Sequence, residues 1–175
     1  MYADELKKAM TWLGEQNDTY FIGQSVSVPG TAMFNTLSNV SIEKRLELPV
    51  CEVLQTGMAT GLALNGFVPV SIYPRWNFLL LGTDQIVNHL DKLHIMSQGE
   101  FNPKVIIRTS IGSERPLHPQ HQHIGDFTEA FKLMCSNINI VRLDEPEQIF
   151  DEYQKAYQSD KSTILVEWGD YYGEK

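Results

Sequence analysis

The chain has 175 residues, 42% of them hydrophobic, which is enough to fill one core and too short for two ordinary domains, so we expect a single domain over residues 1–175. Its formal net charge is −8 and its 14 Lys and Arg residues are scattered, which argues against the basic surface that nucleic-acid binding needs. The sequence contains no run of about 18 apolar residues that could cross a membrane. The first ten residues include Asp4, Glu5, Lys7 and Lys8, where a signal peptide would need a continuous apolar stretch, so we expect a cytoplasmic protein that does not bind membranes.

Helices and strands are predicted to alternate along the whole chain. Apolar residues at helical spacing mark the helices, and short apolar or β-prone runs, many of them bounded by turn residues, mark the strands. In chain order the predicted elements are a helix at 3–13, a strand at 19–22, an irregular stretch at 24–46, a helix at 52–64, a strand at 67–73, a long helix at 77–97, a strand at 104–111, a helix at 126–135, a strand at 138–143, a helix at 145–158 and a strand at 162–168. This order, with apolar rather than alternating strands, predicts a three-layer α/β/α fold around a mostly parallel sheet.

In a parallel sheet, ligands bind beyond the carboxyl ends of the strands, so the segments that follow strands are where a site is expected. Glu52 lies at such a point, where an extended segment gives way to the 52–64 helix. It has two interpretations. A Glu in the first turn complements the helix dipole, and a buried Glu can also be the acid that activates a cofactor through a ring nitrogen.

Two other segments after strands carry aromatic or histidine side chains. Trp76 and Phe78 either pack in the core or stack on the ring of a ligand. His118, His121 and His123 are numerous enough for a metal site, but their spacing matches no helical or zinc-ribbon pattern. We therefore expect no metal site in this loop.

The two cysteines, Cys51 and Cys135, have neither metal-ligand spacing nor the pattern of a disulfide framework. We expect both to be buried thiols.

Several segments together match one known family. They are Leu48-Pro49-Val50-Cys51-Glu52 followed by Gly57 and Gly61, Asn77-Phe78 leading to Asp84-Gln85-Ile86-Val87-Asn88, Lys104 to Arg108, and Gln120-His121. On these residues the chain, from about Tyr2 to Trp168, resembles the pyrimidine-binding domain of the transketolase and 2-oxo-acid dehydrogenase group of thiamine-diphosphate enzymes. It is most similar to the amino-terminal half of the dehydrogenase beta subunit, and the resemblance implies the fold of that domain.

The resemblance also implies roles for individual residues. In the family, the Glu at the position of Glu52 hydrogen-bonds the pyrimidine ring, the aromatic at the position of Phe78 stacks on it, and a His at the position of His121 lies beside the reacting centre. We therefore take Glu52 and His121 as candidate catalytic residues, and Glu52, Phe78 and Trp76 as candidate cofactor-binding residues. His118 fits the transketolase-like pattern instead, so the choice between His121 and His118 stays open.

The chemistry of thiamine diphosphate explains why a carboxyl group is needed. The cofactor must lose a proton from carbon 2 of its thiazolium ring, and the base is its own 4′-amino group in the imino form. A carboxyl group that shares a proton with ring nitrogen N1′ makes that form accessible, so the protein tunes a cofactor that carries out the difficult step itself.

The resemblance implies only half of a cofactor site. The family holds the diphosphate and its Mg²⁺ with a separate domain that has a Gly-Asp-Gly start. Nothing in this sequence matches that start, and the nearest segment is Gly169-Asp170-Tyr171. We therefore expect the diphosphate-binding domain, and the Mg²⁺, to come from a partner chain in a homo- or hetero-oligomer, with Gly57 and Gly61 at a close subunit contact.

Two functions remain in view. The chain is either the pyrimidine-binding part of an enzyme that cleaves a carbon-carbon bond next to a carbonyl and is inactive alone, or a non-catalytic interaction or regulatory module that retains the fold. The enzyme would be a transketolase-like transferase or a 2-oxo-acid dehydrogenase-like oxidoreductase.

Two departures from the family affect the site: Gln24 stands where an acid is frequent after the first strand, and Pro74-Arg75-Trp76 precedes the aromatic position.

Overall fold

The computed structural model of the chain describes residues 1–115 and 118–173. Its strands are β1 (Thr19–Gly23), β2 (Arg45–Glu47), β3 (Val68–Ile72), β4 (Ile106–Ile111), β5 (Asn139–Arg142) and β6 (Thr163–Trp168). In the described residues these form one six-stranded sheet in the order β2-β1-β3-β4-β6-β5, and every neighbouring pair is parallel. The predicted parallel sheet is therefore confirmed.

Helices cover both faces of the sheet. They are α1 (Tyr2–Glu15), α2 (Ala32–Thr36), α3 (Glu52–Leu64), α4 (Trp76–Leu79), α5 (Leu93–Met96), α6 (Thr128–Met134) and α7 (Pro146–Gln158). The core on one face packs α1, α2 and α7 against side chains such as Phe21 and Ile106, and the core on the other face packs α3, α4 and α6 against side chains such as Ile22 and Ile107. Because both faces are covered, β3 and β4 are buried along their whole length, which confirms the three-layer fold.

None of the helices in the described part of the chain combines the length and the apolar character that crossing a bilayer requires.

The stretch 24–46, predicted to be irregular, contains α2, a short 3₁₀ turn at Ile42–Lys44 and the start of β2. That prediction was wrong for β2 because this strand has three residues at the edge of the sheet, and the side chain of Leu46 is 46% exposed. Such a strand shows neither the apolar run nor the alternation by which strands are recognised.

The long helix predicted over 77–97 is broken. It consists of α4, a 3₁₀ turn at Leu80–Gly82, a π-helical segment at Gln85–Leu90, and α5. The break coincides with a close contact with α3, where a Cβ atom on Gly82 would lie 2.7 Å from Thr56 Oγ1 and 3.4 Å from the Glu52 carbonyl oxygen. Glycine at position 82 therefore allows the 3₁₀ turn to pack closely on the first turns of α3.

The cysteines differ from each other. Cys135 is half-buried, and burial raises the pKa of its thiol to about 11. Cys51 is exposed, so the prediction of a buried thiol was wrong for this residue. It is the N-cap residue of α3 and lies at the surface, where the chain arrives from an edge strand.

A buried ion pair joins β4 to β6. Arg108 and Glu167, both 0% exposed, meet through two hydrogen bonds of 2.5 Å and 3.0 Å. The hydroxyls of Tyr153 and Tyr172 also donate to the Glu167 carboxylate. Burial, strengthened by the charge of Glu167, raises the pKa of both phenols well above the ordinary range, so they remain neutral donors.

The end of β1 is tightly packed. Gly23 has a φ angle of +136°, and a Cβ atom there would lie 2.3 Å from the Ile72 carbonyl oxygen and 2.6 Å from Gln55 Nε2. Only glycine allows β3 and α3 to approach this backbone so closely.

We predict that Gly23→Ala is much more destabilising than Gly30→Ala. Gly30 has a similar φ of +139°, but a methyl group added there would have nothing within 4 Å, so its substitution reports backbone strain alone, about 1–3 kcal/mol. Gly23→Ala adds a steric clash, which we expect to lower the free energy of unfolding by about 1–3 kcal/mol more. Urea denaturation of both variants measures the difference, and equal destabilisation would contradict the close packing at Gly23.

Candidate active site

Glu52 is the first residue of α3, and its side chain is only 3% exposed. Gln24, the first residue after β1, donates a hydrogen bond from Nε2 to Glu52 Oε1 at 3.3 Å. Within the described residues this is the only hydrogen bond to the Glu52 carboxylate. A nearly buried acid with one neutral donor therefore lies where the carboxyl ends of β1 and β2 meet α3.

A chain of hydroxyl groups ties the start of α3 to the end of β3. Thr56 Oγ1 donates to the Glu52 carbonyl oxygen at 2.8 Å and lies 2.7 Å from the Tyr73 hydroxyl. Burial raises the pKa of Tyr73 to about 12, and the charge of the Glu52 carboxylate adds to that rise. Tyr73 is therefore a neutral hydroxyl that fixes the first turn of α3 at neutral pH.

Gln55 is fully buried on the same face of α3. Its Nε2 donates to Ser71 Oγ at 3.1 Å and to the Ile72 carbonyl oxygen at 2.9 Å. Its Oε1 is buried without a hydrogen-bond partner among the described residues. The first turns of α3 thus bury polar side chains, which is unusual for a helix packed on a sheet, whereas Ala59 farther along lies in the core.

The outer face of α3 is correspondingly apolar. Val53, Leu54 and Leu64 are 49%, 46% and 44% exposed. Between them a Cβ atom on Gly61 would meet nothing within 4 Å. Residues 53–64 carry no charge, so the exposed side of α3 is an uncharged, partly apolar surface.

Glu47 organises the loop that carries Gln24, a role that the sequence analysis missed. Its carboxylate accepts hydrogen bonds from the backbone N–H groups of Ser25, Val26 and Ser27 at 2.7, 2.8 and 2.7 Å. A single carboxylate at the end of a short edge strand has no sequence pattern that could reveal these contacts, because its partners are backbone groups of a distant loop.

The two candidate aromatic residues lie in different environments. Trp76 is 0% exposed and packs on Phe131 with ring centroids 4.8 Å apart. The burial of its ring favours core packing, one of the two interpretations given for Trp76, and its role in cofactor binding stays a prediction. Phe78 is half-buried, and its ring lies 5.2 Å from that of His123 at an angle of 44°.

The histidine loop brings His123, rather than either candidate, next to Phe78. Besides the ring contact, the His123 carbonyl oxygen accepts a 3.0 Å hydrogen bond from Arg75, and its Nδ1 is buried without a partner among the described residues. His121 and His118 are exposed, and His118 Nδ1 accepts from the backbone N–H of Gln120 at 3.0 Å.

In the parts of the chain that the structure covers, no group of three or more His, Cys, Asp or Glu side chains is arranged to hold a metal ion.

A cavity of about 630 Å³ opens at the same edge of the sheet, lined by segments that follow β1, β3, β4 and β6. Arg75 and Asp170 lie in its wall, and the charge of Asp170 opposes the lowering of the Arg75 pKa by burial. Asp170 Oδ1 accepts from the backbone N–H groups of Glu114 and Arg115 at 2.9 and 3.2 Å. Asp170 therefore holds the loop after β4 in place.

Curated relatives of the chain are beta subunits of one enzyme. The chain is 30% identical over 129 residues to the mitochondrial pyruvate dehydrogenase E1 component subunit beta of Ascaris suum, covering 74% of this chain and 35% of that protein. It is 38% identical over 122 residues to the pyruvate dehydrogenase E1 component subunit beta of Chaetosphaeridium globosum, covering 70% and 36%. The chain thus spans about a third of the length of these relatives.

Solved structures show the same fold at low sequence identity. A split-gene transketolase, described as an inactive beta4 tetramer, superimposes with a TM-score of 0.70 at 13% identity, covering 95% of this chain and 50% of that one. The transketolase of Campylobacter jejuni superimposes with a TM-score of 0.70 at 14% identity, covering 94% and 25%. Residues 2–170 match the family model described as the transketolase pyrimidine-binding domain, and the chain therefore belongs to that family.

Proposed function

We propose that the chain is the pyrimidine-binding part of a thiamine-diphosphate enzyme that cleaves a carbon-carbon bond next to a carbonyl. The observation that carries this proposal is Glu52, a nearly buried carboxylate at the carboxyl edge of the sheet with a single donor on Oε1. Because the neutral amide of Gln24 bonds only to Oε1, the second carboxylate oxygen of Glu52, Oε2, is available to a ring nitrogen.

The residues around Glu52 fit the pyrimidine end of the cofactor. Glu52 would hold the ring nitrogen N1′, and the half-buried Phe78 would provide the stacking surface. The unpartnered Oε1 of Gln55, one turn along α3, marks a further polar position beside the carboxylate. When bound, thiamine diphosphate supplies the nucleophilic carbon that attacks the carbonyl of the substrate.

The residues of this chain would control one proton. Glu52 would share it with N1′, and the low exposure of the carboxylate keeps water from competing for it. Thr56 and Tyr73 would keep the first turn of α3 in register with β3, so that the carboxylate stays in one position. His121, in the loop after β4, would donate a proton to the substrate carbonyl or anchor the substrate.

A partner chain would supply the diphosphate-binding domain and its Mg²⁺. One observation supports this proposal: a solved structure with the same fold is a split-gene transketolase that is described as an inactive beta4 tetramer. The uncharged outer face of α3, with Gly61 open to close approach, would be the contact surface.

We predict that the isolated chain binds thiamine diphosphate and Mg²⁺ negligibly, because it contributes only the pyrimidine end. Isothermal titration calorimetry of the purified chain, alone and after addition of the co-purifying partner chain, measures this. Binding and turnover only in the mixture would support the proposal. Tight, Mg²⁺-dependent binding by the lone chain would contradict the split site, and cofactor-free assembly would favour the non-catalytic module.

We predict that Glu52→Gln abolishes activation of the cofactor in the assembled complex while preserving the fold. The amide has the shape of the carboxyl group but cannot share its proton, and we expect the rate of proton exchange at carbon 2 to fall by about 10²–10⁴-fold, the usual contribution of a general acid or base. Exchange of that proton into deuterated water, followed by NMR, measures the rate. Full exchange in Glu52→Gln would refute the role of Glu52.

We predict that one histidine of the loop is needed for turnover and that single His→Asn variants identify it. His121 is expected from the resemblance, whereas the ring contact with Phe78 favours His123. Turnover of His118→Asn, His121→Asn and His123→Asn complexes, each measured against pH, distinguishes them, because loss of a proton donor removes one limb of the pH profile. Three unchanged profiles would exclude a histidine acid in this loop.

A further inference from the structure

The side-chain amide of Gln24 reaches the candidate catalytic acid directly. Its Nε2 lies 3.3 Å from Glu52 Oε1, and the loop that carries it begins at the tightly packed Gly23. We infer that Gln24 is a positioning residue that occupies Oε1 of Glu52 and thereby assigns Oε2 to the pyrimidine nitrogen. This inference rests on the proposed function of Glu52.

The position of Gln24 is set on both sides. Gly23 precedes it, and Gln55 Nε2 and the Ile72 carbonyl oxygen occupy the space that a Cβ atom on Gly23 would need. After it, the Glu47 carboxylate holds three consecutive backbone N–H groups of the loop within 2.8 Å. Hydrogen bonds to a carboxylate are about twice as strong as those between neutral groups. Glu47 therefore acts on Glu52 indirectly, by fixing the loop from which Gln24 extends.

The chemical identity of residue 24 matters because an amide is neutral at every pH at which the protein folds. Nε2 of Gln24 can only donate, so Oε1 of Glu52 must accept and cannot carry the shared proton. The proton that passes between Glu52 and a ring nitrogen is confined to Oε2. A carboxyl group at position 24 would instead compete for the same proton.

Among the described residues, no charged side chain forms a hydrogen bond or an ion pair with the Glu52 carboxylate. Tyr73 lies behind the first turn of α3 through Thr56, and burial keeps its phenol neutral. Backbone N–H groups of the 25–28 loop bind the Glu47 carboxylate, and the 80–82 segment packed on α3 carries no titratable side chain. The exposed thiol of Cys51 precedes Glu52 in the chain.

Four substitutions separate positioning from folding. Gln24→Met keeps the length of the side chain and removes the donor, and Gln24→Glu replaces the donor with a second carboxyl group. Glu47→Gln leaves one acceptor oxygen in place of two and loosens the loop. Gln158→Glu adds the same charge as Gln24→Glu at an exposed site at the end of α7, remote from the carboxyl edge of the sheet, and is the matched control.

On the lone chain, the test is the side-chain amide signal of Gln24 in ¹⁵N–¹H NMR spectra. We expect this signal to shift on Glu52→Ala, which removes the acceptor, and to broaden on Glu47→Gln. We expect Gln158→Glu to leave the Gln24 signal unchanged. A loss of thermal stability by itself should neither shift nor broaden that signal. A Gln24 signal that is unchanged by Glu52→Ala would overturn the inference without any cofactor being added.

In the assembled complex, the test is proton exchange at carbon 2 of thiamine diphosphate as a function of pH. We expect Gln24→Met to lower the exchange rate about tenfold, the effect of one hydrogen bond to a charged group, with little change in cofactor affinity. We expect Gln24→Glu to move the pH profile upward by about one unit, because two neighbouring carboxyl groups ionise less readily than one. Gln158→Glu should retain the wild-type profile.

The outcomes distinguish this inference from the function on which it rests. A wild-type complex that exchanges normally, together with unaltered rates and profiles in Gln24→Met and Gln24→Glu, would overturn the role of Gln24 and leave the proposed function intact. A wild-type complex that shows no exchange would overturn both. A purely structural role would lower stability and cofactor affinity without moving the pH profile.

Discussion

The candidate site depends on the close packing at the carboxyl end of β1. Gly23 adopts a φ angle of +136° and leaves no room for a Cβ atom, since the Ile72 carbonyl oxygen and Gln55 Nε2 occupy that space. Gln55 can therefore bridge α3 to β3, and Gln24 emerges beside Glu52. A side chain at position 23 would push these elements apart and separate the acid from its donor.

The polarity of α3 follows from the same arrangement. A helix on a parallel sheet normally buries its apolar face, but the first turns of α3 bury Glu52, Gln55 and Thr56. Gln24 bonds to Glu52, Gln55 bonds to β3 through Nε2, and Thr56 bonds to the Glu52 carbonyl oxygen, while Gln55 Oε1 has no partner among the described residues. Farther along α3, Ala59 and Leu62 pack in the core, whereas Val53 and Leu54 are exposed. The buried polar side chains and the exposed apolar side chains at the start of α3 therefore both follow from the orientation of one helix.

The elements that sequence reasoning predicted well are those with a clear local signal. The limits of the 52–64 helix were predicted correctly, because a first-turn acid and Asn65-Gly66 mark its two ends. The 77–97 segment was predicted as one helix because apolar spacing cannot distinguish an α-helix from the π and 3₁₀ turns seen there. β2 was missed because three residues at a sheet edge carry no pattern. The sequence left Trp76 between core packing and ring stacking, and its burial against Phe131 favours core packing.

The sequence by itself determined the alternation of helices and strands, the parallel sheet that follows from it, and the family resemblance that singled out Glu52. Those features depend on residue types and spacings within short segments, which a single chain displays directly. Only the tertiary structure decided which groups meet Glu52, that Glu47 orders the loop of Gln24, and that His123 lies against Phe78. These contacts join residues from separate strands and loops, and their distances are set by the packing of the sheet rather than by any local pattern.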